Sequence, residues 1–393
     1  MGIFTKRSKT GRDELIAVFD IGSASISGAL FFVQKSGVPK IVFSVREKIT
    51  LQHQINSKNL LIEMRKALNG VARQMAISNF GAPKKVFCVL SSMWYVSHNR
   101  VIKMKKNTPF IFTDKLANSL IEKELKLFRE DHLGQYTKNG GQIRVIELKN
   151  IRTMLNGYEV SNPYKQKASE LEMALFISMA EEEVLSSIEN VIAQHFHIDD
   201  IKFTSFLMAS FTVVRDMHPH QEDFILVDIG GEITDIAIIK NNVLIGSASY
   251  PLGSNFIARD MASVLGSNLE EAKTFFSLYK DGHAEEKIHQ RFDPIVNSSK
   301  TRWLEKFQVS LDTLSNDISI PSTIYFTTDK EFADFFIDVM QNEQFNQYIL
   351  TSSKFEIKLI NNSILHKVAV FEKNVIRDIF LIMDAIYINR FLS

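Results

Sequence analysis

The chain has 393 residues, of which 45% are hydrophobic and 23% charged, so it can form two or more domains with ordinary hydrophobic cores. Its formal net charge of +1 argues against a broad electrostatic nucleic-acid surface. The single cysteine, Cys88, excludes disulfides within the chain and cysteine-based zinc sites, and favours a reducing compartment.

The first thirteen residues are polar and basic after a short apolar start, which predicts a flexible N-terminal tail over residues 1–13. This segment lacks the long apolar stretch of a signal peptide. No part of the chain reaches roughly 18 consecutive apolar residues, so no membrane-spanning helix is expected.

Strand and helix patterns alternate in the first hundred residues. Residues 15–34 have the pattern of two buried strands around a Gly-Ser turn, and residues 40–51 that of a third strand. Apolar side chains recur at helical spacing over residues 59–76, and residues 84–92 return to a strand pattern. Strands separated by a helix predict an α/β unit.

The pattern changes between residues 97 and 179, where an amphipathic helix is followed by strands around an Asn-Gly turn. This stretch predicts a small α+β insertion. Helical patterns resume over residues 181–196 and 205–217.

The second half of the chain begins with two predicted strands around a glycine pair at residues 224–239, followed by two helices within residues 255–282. Residues 281–300 are polar and poorly periodic, which predicts a loop or a reduced subdomain. The last segment, residues 373–393, has the pattern of an apolar helix, which we expect to pack in a core rather than lie on a membrane.

One pattern occurs in both halves of the chain. Residues 17–31, AVFDIGSASISGALF, and residues 225–239, ILVDIGGEITDIAII, share an apolar run, Asp-Ile-Gly, small polar residues and a second strand. Glycines let the backbone approach phosphate oxygens, and nearby hydroxyl and N–H groups can donate to those oxygens. The Asp at each strand end, Asp20 or Asp228, can hold Mg²⁺ through water. The repeat predicts a duplicated α/β domain with two phosphate-binding hairpins.

With these hairpins the sequence resembles the actin-like ATPase superfamily, and within it the group of the bacterial division protein FtsA and the pilus assembly protein PilM. Residues 155–175 resemble the end of that group's inserted domain, and residues 247–273 resemble the segment after its second hairpin. The resemblance implies a two-lobed actin-like α/β fold, which is a duplicated ribonuclease-H-like fold, with an inserted small α+β subdomain.

The domain order follows from the same resemblance. The first lobe would comprise residues 14–96 and 180–221, and the insertion residues 97–179. The second lobe would comprise residues 222–393, with a reduced small subdomain near residues 281–320.

The resemblance also carries over the residues of a site for ATP and Mg²⁺. The residues that match the two phosphate-binding hairpins are Asp20, Gly22, Ser23, Ser25, Asp228, Gly230, Gly231 and Thr234. Weaker matches elsewhere in the cleft are Gly253, Ser254, Asn255, Lys273, Thr327 and Thr328. Asp20 and Asp228 would hold the metal, and no catalytic residue is identified.

Several positions depart from the group's pattern. Glu232 and Ile233 stand where the group usually has glycine and threonine, and an acid facing a phosphate in a cleft of low dielectric constant is repulsive unless it turns to solvent. Phe276 stands at a charged position near the adenosine, and residues 327–329, Thr-Thr-Asp, replace the glycines of the adenosine turn. These departures are expected to weaken catalysis more than binding.

The resemblance implies an assembly role with at most weak ATPase activity. An FtsA-like division scaffold that polymerises and binds ATP is one interpretation; the alternatives are a PilM-like component of type IV pilus assembly that binds a membrane protein's cytoplasmic tail, or a pseudo-ATPase binding module. The partners would be division or pilus proteins at the inner membrane, not nucleic acid. The chain would be cytoplasmic and peripheral at the inner face of the membrane. A metabolic kinase would need a general base beside a substrate pocket, and the sequence marks none.

Overall fold

The structure, a computed structural model, shows how these segments are arranged. It describes residues 14–34, 37–136, 142–198, 200–280, 286–315, 319–342, 354–366 and 368–392. The predicted tail, residues 1–13, lies outside the described ranges. None of the helices in those ranges has both the length and the hydropathy of a membrane span.

The described ranges contain fifteen strands and ten α-helices. The strands, in chain order, are β1 (Leu15–Ile21), β2 (Ser25–Phe32), β3 (Lys40–Lys48), β4 (Lys85–Leu90), β5 (Val96–Ile111), β6 (Ile143–Leu155), β7 (Tyr158–Glu159), β8 (Lys167–Glu181), β9 (Ile201–Ser205), β10 (Phe224–Ile229), β11 (Thr234–Lys240), β12 (Val243–Tyr250), β13 (Thr323–Thr328), β14 (Glu356–Leu359) and β15 (Val370–Phe371). The helices are α1 (Ser57–Ala76), α2 (Asp114–Tyr136), α3 (Glu182–Phe196), α4 (Phe206–Met217), α5 (Asn255–Leu265), α6 (Leu269–Lys280), α7 (Glu286–Ser315), α8 (Ala333–Asn342), α9 (Asn362–Leu365) and α10 (Ile379–Leu392).

The first sheet has the strand order β15-β3-β2-β1-β4-β9. Strands β1 to β3 form an antiparallel meander, and β4 and β9 run parallel to β1. Side chains of α1 and α3 share a core cluster with one face of β1, and side chains of α4 and α10 share a cluster with the other face. Because both faces of β1 are covered, the strand is a continuous apolar run, as the sequence pattern predicted.

The second sheet repeats this plan with the order β12-β11-β10-β13-β14. Strands β10 to β12 form an antiparallel meander, and β13 and β14 run parallel to β10. The same five-strand order therefore occurs twice, which confirms the duplicated α/β architecture expected from the recurring hairpin.

The third sheet is antiparallel, with the order β5-β8-β6-β7, and it lies in the chain between β4 and α3. Apolar side chains of α2, including Ala117, Ile121 and Phe128, share a core cluster with this sheet. The α+β insertion predicted from residues 97–179 is thus present as a separate small sheet with its own core.

The last described elements join the first lobe, whereas the domain order expected from the resemblance places all of residues 222–393 in the second. Strand β15 pairs with β3 through Val370 and Lys40, and α10 packs against α4 and β1. Buried side chains line α10, among them Leu381, Met383 and Ala385, so its packing in a core is confirmed. The assignment to the wrong lobe arose because only long-range strand pairing identifies the lobe that the helix covers.

One long helix, α7, replaces the loop or reduced subdomain that was predicted for residues 281–300; residues 281–285 lie outside the described ranges. Phe292, Trp303 and Phe307 of α7 belong to the core of the second lobe. From His289 to Lys300, exposed side chains alternate with the buried Phe292, Ile295, Val296 and Ser299, which recur at helical spacing.

Candidate functional site

The two predicted phosphate hairpins have the same internal geometry. In the turn between β1 and β2, Gly22 N donates to the carbonyl oxygen of Ser25 at 3.1 Å. In the turn between β10 and β11, Gly230 N donates to the carbonyl oxygen of Ile233 at 3.0 Å. Each turn ends the central strand of its sheet, so the fold places one such hairpin on each side of the cleft between the lobes.

The two hairpin turns are in direct contact across the cleft. The amide of Glu232 donates to Ser23 Oγ at 3.0 Å. A Cβ on Gly231 would lie 2.5 Å from the Cβ of Ala24, so only glycine permits this approach. Ser23 and Glu232 are both buried. The structure therefore brings the two hairpins together, and the tips of their turns touch each other directly.

The segment after β12 packs on the second hairpin from behind. Ser254 N and Asn255 N donate to the carbonyl oxygens of Gly230 and Gly231 at 2.8 and 2.9 Å. A Cβ on Gly253 would lie 2.4 Å from the carbonyl carbon of Gly231, so this glycine too is required by a close approach. The predicted residues Gly253, Ser254 and Asn255 thus contact the hairpin backbone itself.

Glu232 does not turn to solvent. Its side chain is 4% exposed and forms a bidentate ion pair with Arg259 of α5, with N–O distances of 2.6 and 2.7 Å. Asn255 Nδ2 donates to the same carboxylate at 2.8 Å. Arg259 also donates from Nε to the carbonyl oxygen of Gln52 in the first lobe, at 2.7 Å. A fully bonded buried carboxylate therefore stands where the resemblance places a small residue facing phosphate.

Acidic side chains crowd the base of the cleft around one cation, Arg46 of β3. Arg46 Nη2 lies 2.6 Å from Asp329 of the second lobe, and Nη1 lies 3.4 Å from Asp378. Its Nε donates to the predicted site residue Ser25, at Oγ, at 3.0 Å. Ser27 Oγ donates to Asp378 at 2.8 Å.

The carboxyl groups in this region bind protons more tightly than usual. Burial, followed by the charge of Asp378, raises the pKa of Asp20 well above its ordinary value. Burial, followed by the charge of Asp235, raises the pKa of Asp228 to about 8. Burial raises the pKa of Asp384 as well, and neither of its carboxylate oxygens has a hydrogen-bond partner among the described residues. Burial and mutual repulsion therefore favour the neutral forms of these groups in this structure.

A metal site at Asp20 and Asp228 stays a prediction. Among the residues that the structure describes, no three His, Cys, Asp or Glu side chains are grouped so that they could hold a metal ion. Thr327 Oγ1 donates to Asp228 at 2.6 Å, which occupies one oxygen of this carboxyl group.

The remaining predicted threonines are bonded within the second lobe. Thr234 Oγ1 donates to the carbonyl oxygen of Leu252 at 2.7 Å and accepts from Trp303 Nε1 at 3.1 Å. Thr328 Oγ1 donates to the carbonyl oxygen of Ile229 at 3.1 Å. Thr234 and Thr328 are thus placed beside the second hairpin, with their hydroxyl groups directed to protein atoms.

The place that the resemblance gives to the adenosine is filled by aromatic rings. Phe276 of α6 stacks on Phe332 at a centroid distance of 5.6 Å and an interplanar angle of 19°. Phe335 packs edge-on against Phe276 at 5.9 Å. The cavity beside these rings, which Lys273 and Lys280 help to line, has a volume of about 20 Å³. This is far below the roughly 300–1,000 Å³ of ordinary ligand pockets.

A larger groove, which no sequence motif indicates, lies between the first lobe and the inserted sheet. Its volume is about 210 Å³. The groove, called the 93–95 groove below, is lined by the start of α1, the start of β6, the end of β8, the start of α3 and residues 92–96. Its floor includes Met93, Trp94 and Tyr95, and this run of three large side chains after a strand is the signal that could have indicated it.

The floor of the 93–95 groove is bonded to both hairpins. Trp94 Nε1 donates to the carbonyl oxygen of Gly22 in the first hairpin at 3.0 Å. The neighbouring Ser92 Oγ donates to Asp235, which follows the second hairpin on β11. Residues 92–95 therefore connect the groove to the turn of one lobe and to the sheet of the other.

Comparisons with known proteins find one family model and several solved structures that are similar to this chain. The family model of the cell division protein FtsA matches residues 225–321. A chain of the PilM-PilN type IV pilus biogenesis complex has a TM-score of 0.56 and 11% sequence identity, with 96% of this chain and 98% of that chain covered. The ethanolamine utilization protein EutJ from Carboxydothermus hydrogenoformans has a TM-score of 0.43 and 10% identity, with 96% and 90% covered. Comparison with curated proteins finds no match.

A nucleotide, which such a fold implies, does not fit the residues present. A triphosphate between the hairpins would have to break the bond between Ser23 and the Glu232 amide. The two nearest guanidinium groups, Arg46 and Arg259, are already paired with carboxylates. The base would have to separate the stacked rings of Phe276 and its neighbours. The described residues of the interlobe cleft therefore form no vacant cradle for phosphate or base, and the 93–95 groove is the larger of the two candidate sites.

Proposed function

We propose, on the premise that this chain is an actin-like ATPase-fold protein of the FtsA/PilM group, that it is an assembly scaffold which holds a short segment of a membrane-protein partner. The observation that carries this proposal is the 93–95 groove between the first lobe and the inserted sheet. The full-length likeness in fold to a chain of the PilM-PilN complex supports a partner of this kind.

The size and lining of the groove indicate what it binds. Its volume of about 210 Å³ is below that of ordinary small-molecule pockets, roughly 300–1,000 Å³, and suits a few side chains of a peptide. Apolar side chains form most of the lining, including Leu61 and Val184, while Glu181 and Glu183 add two acids against the single base Lys58. We therefore expect an extended segment with apolar anchors and at least one basic residue.

This function would place the chain in the cytoplasm at the inner face of the membrane, where the partner holds it. Helix α10 is strongly apolar, but it is buried in the core of the first lobe and is not exposed to a membrane surface. We therefore expect the chain to reach the membrane by binding a membrane-protein partner.

Site-specific crosslinking tests this proposal. A photoreactive amino acid placed at Met93, in the groove, should crosslink in cells to a cytoplasmic segment of a membrane protein. The matched control is the same label at Tyr158, which is 77% exposed on β7 outside the groove. A synthetic peptide of the crosslinked segment should bind the purified chain, and Leu61→Glu should weaken binding by about tenfold or more because it places a charge among the apolar anchors.

Two outcomes would contradict this assignment. Equal crosslinking from Met93 and Tyr158 would show that the groove has no special role. A crosslink from Met93 to a second copy of the chain would indicate self-assembly through the groove instead.

An FtsA-like scaffold of cell division is the second candidate, and the match of the FtsA family model to residues 225–321 favours it. In that region Val264, Leu278 and Val309 expose 57%, 43% and 58% of their surfaces on α5, α6 and α7, and a second copy could cover them. Sedimentation of the full chain at increasing concentration should then reveal filaments, and Val309→Lys should abolish them. A monomer at all concentrations would exclude the polymerising role.

A further inference from the structure

We infer that the chain's own side chains take the place of a nucleotide in the interlobe cleft and hold the two lobes closed without one. This inference concerns the cleft and does not depend on the proposed partner or on the 93–95 groove. It assigns a structural role to residues that mark departures from the group's pattern, above all Glu232 and Phe276.

The first step concerns the place where phosphates would lie. Negative charge is already supplied there by the Glu232 carboxylate, which Arg259 and Asn255 bind through three hydrogen bonds of 2.6 to 2.8 Å. A bidentate guanidinium–carboxylate pair has the geometry that would also suit a phosphate group. Arg259 is the cation that an incoming phosphate would need, and it is already paired with Glu232.

The second step concerns the place of the base. Phe276 and Phe332 stack at 5.6 Å, and both are almost completely buried. Aromatic pairs of this geometry stabilise each other beyond the area that they bury. An adenine ring would have to displace one of them and would recover a similar stacking contact, so it would gain little.

The third step concerns closure. Polar contacts between described residues cross from the first lobe to the second. They are the bonds from the Glu232 amide to Ser23, from Arg259 to the Gln52 carbonyl, from Arg46 to Asp329 and from Ser92 to Asp235. Most of these groups are buried or half-buried, where charged hydrogen bonds are stronger than at the surface. A bound ligand closes lobes by making contacts with both of them. Here the chain makes those contacts itself.

Nucleotide titration of the full chain is the direct test. Fluorescent N-methylanthraniloyl ATP with Mg²⁺, added to about 1 mM, should give no saturable binding, and ATP at the same concentration should shift the melting temperature by less than about 1 °C. Saturable binding at micromolar concentrations, with a melting temperature that rises with ATP, would overturn the inference.

Hydrogen exchange tests closure independently of nucleotide. Without any ligand, the amide of Glu232 should be protected, because it donates a hydrogen bond to Ser23 of the other lobe. Arg259→Lys keeps the charge but loses the bidentate pair, and it should speed exchange of the Glu232 amide by about ten- to a hundredfold. Amides of β8 in the inserted sheet serve as the internal control and should not change.

Two exchange results would contradict the closed cleft. Hairpin amides that exchange in the wild type as fast as exposed amides would show that the lobes open freely. Unchanged exchange in Arg259→Lys would show that this residue does not hold them together. If the lysine variant does not fold, Ser23→Ala removes the smaller Ser23 contact and should raise exchange at Glu232 alone.

Discussion

Replacing Asp228 with Asn should stabilise the protein at alkaline pH. Asp228 is buried at the end of β10, and burial together with the charge of Asp235 raises its pKa to about 8 from an ordinary value of 3.8. Between these two values the folded protein keeps a proton that the unfolded chain releases. The stability contributed by this group is therefore fully present below the unfolded pKa and is lost as the pH rises through the folded pKa.

The size of the effect follows from the shift. The change from 3.8 to about 8 spans roughly four pKa units, each worth about 1.36 kcal/mol, which gives an upper limit of about 5 kcal/mol. Relaxation of the site and coupling to Asp20 and Asp235 reduce this value. Asn keeps the shape of Asp and an oxygen that can accept the Thr327 hydrogen bond, but it cannot ionise. We expect the variant's advantage in the free energy of unfolding to grow by about 2–4 kcal/mol between roughly pH 5 and pH 9.

Urea unfolding at several pH values would measure this difference. The two tryptophans report on separate parts of the molecule, Trp94 in the first lobe and Trp303 in the second. Fluorescence of single-tryptophan versions would show whether the lobes unfold together, which a single free energy of unfolding requires. Asp312→Asn, at an exposed position on α7, is the matched control and should show no pH-dependent gain. A constant difference between Asp228→Asn and wild type across the pH range would refute the reasoning.

Three further substitutions test other contacts of the cleft by the same unfolding assay. Arg259→Ala should lower the free energy of unfolding by about 3 kcal/mol, because it leaves the buried Glu232 carboxylate without its cation, and adding Glu232→Gln should recover part of the loss. Trp94→Phe should cost about 1 kcal/mol through loss of the bond to the Gly22 carbonyl; no loss would mean that the bond does not stabilise the first hairpin. Asp384→Leu should raise the free energy of unfolding by about 1–3 kcal/mol near pH 8, because it replaces a fully buried carboxyl group, which no described residue hydrogen-bonds, with an apolar side chain of similar shape; a decrease would show that the carboxyl group is needed.

The 93–95 groove shows why one of the two candidate sites could not be found from the sequence. Its lining comes from α1, β6, β8, α3 and residues 92–96, which are separate in the chain and meet only because the inserted sheet packs beside the first lobe. No single one of these segments carries a recognisable motif. The run Met93-Trp94-Tyr95 was visible, but three large side chains in a row are equally typical of a core.

The sequence by itself determined the duplicated α/β plan and the two glycine hairpins. Those features depend on residues close together in the chain: continuous apolar runs of strand length, and a turn closed by a bond such as that from Gly22 N to the Ser25 carbonyl. It also showed that Glu232 departs from the pattern of the group it resembles.

Only the tertiary structure decided what that departure means. Glu232 and Arg259 are 27 residues apart, and Arg259 reaches it because α5 lies across the second hairpin and beside Gln52 of the first lobe. The stack of Phe276 on Phe332 and the return of α10 to the first lobe likewise depend on contacts between distant segments. Local sequence patterns specify strands and turns because the geometry of these elements depends on residues that are close together in the chain. Which side chains fill a cleft is settled by packing between elements, and one sequence does not display that packing.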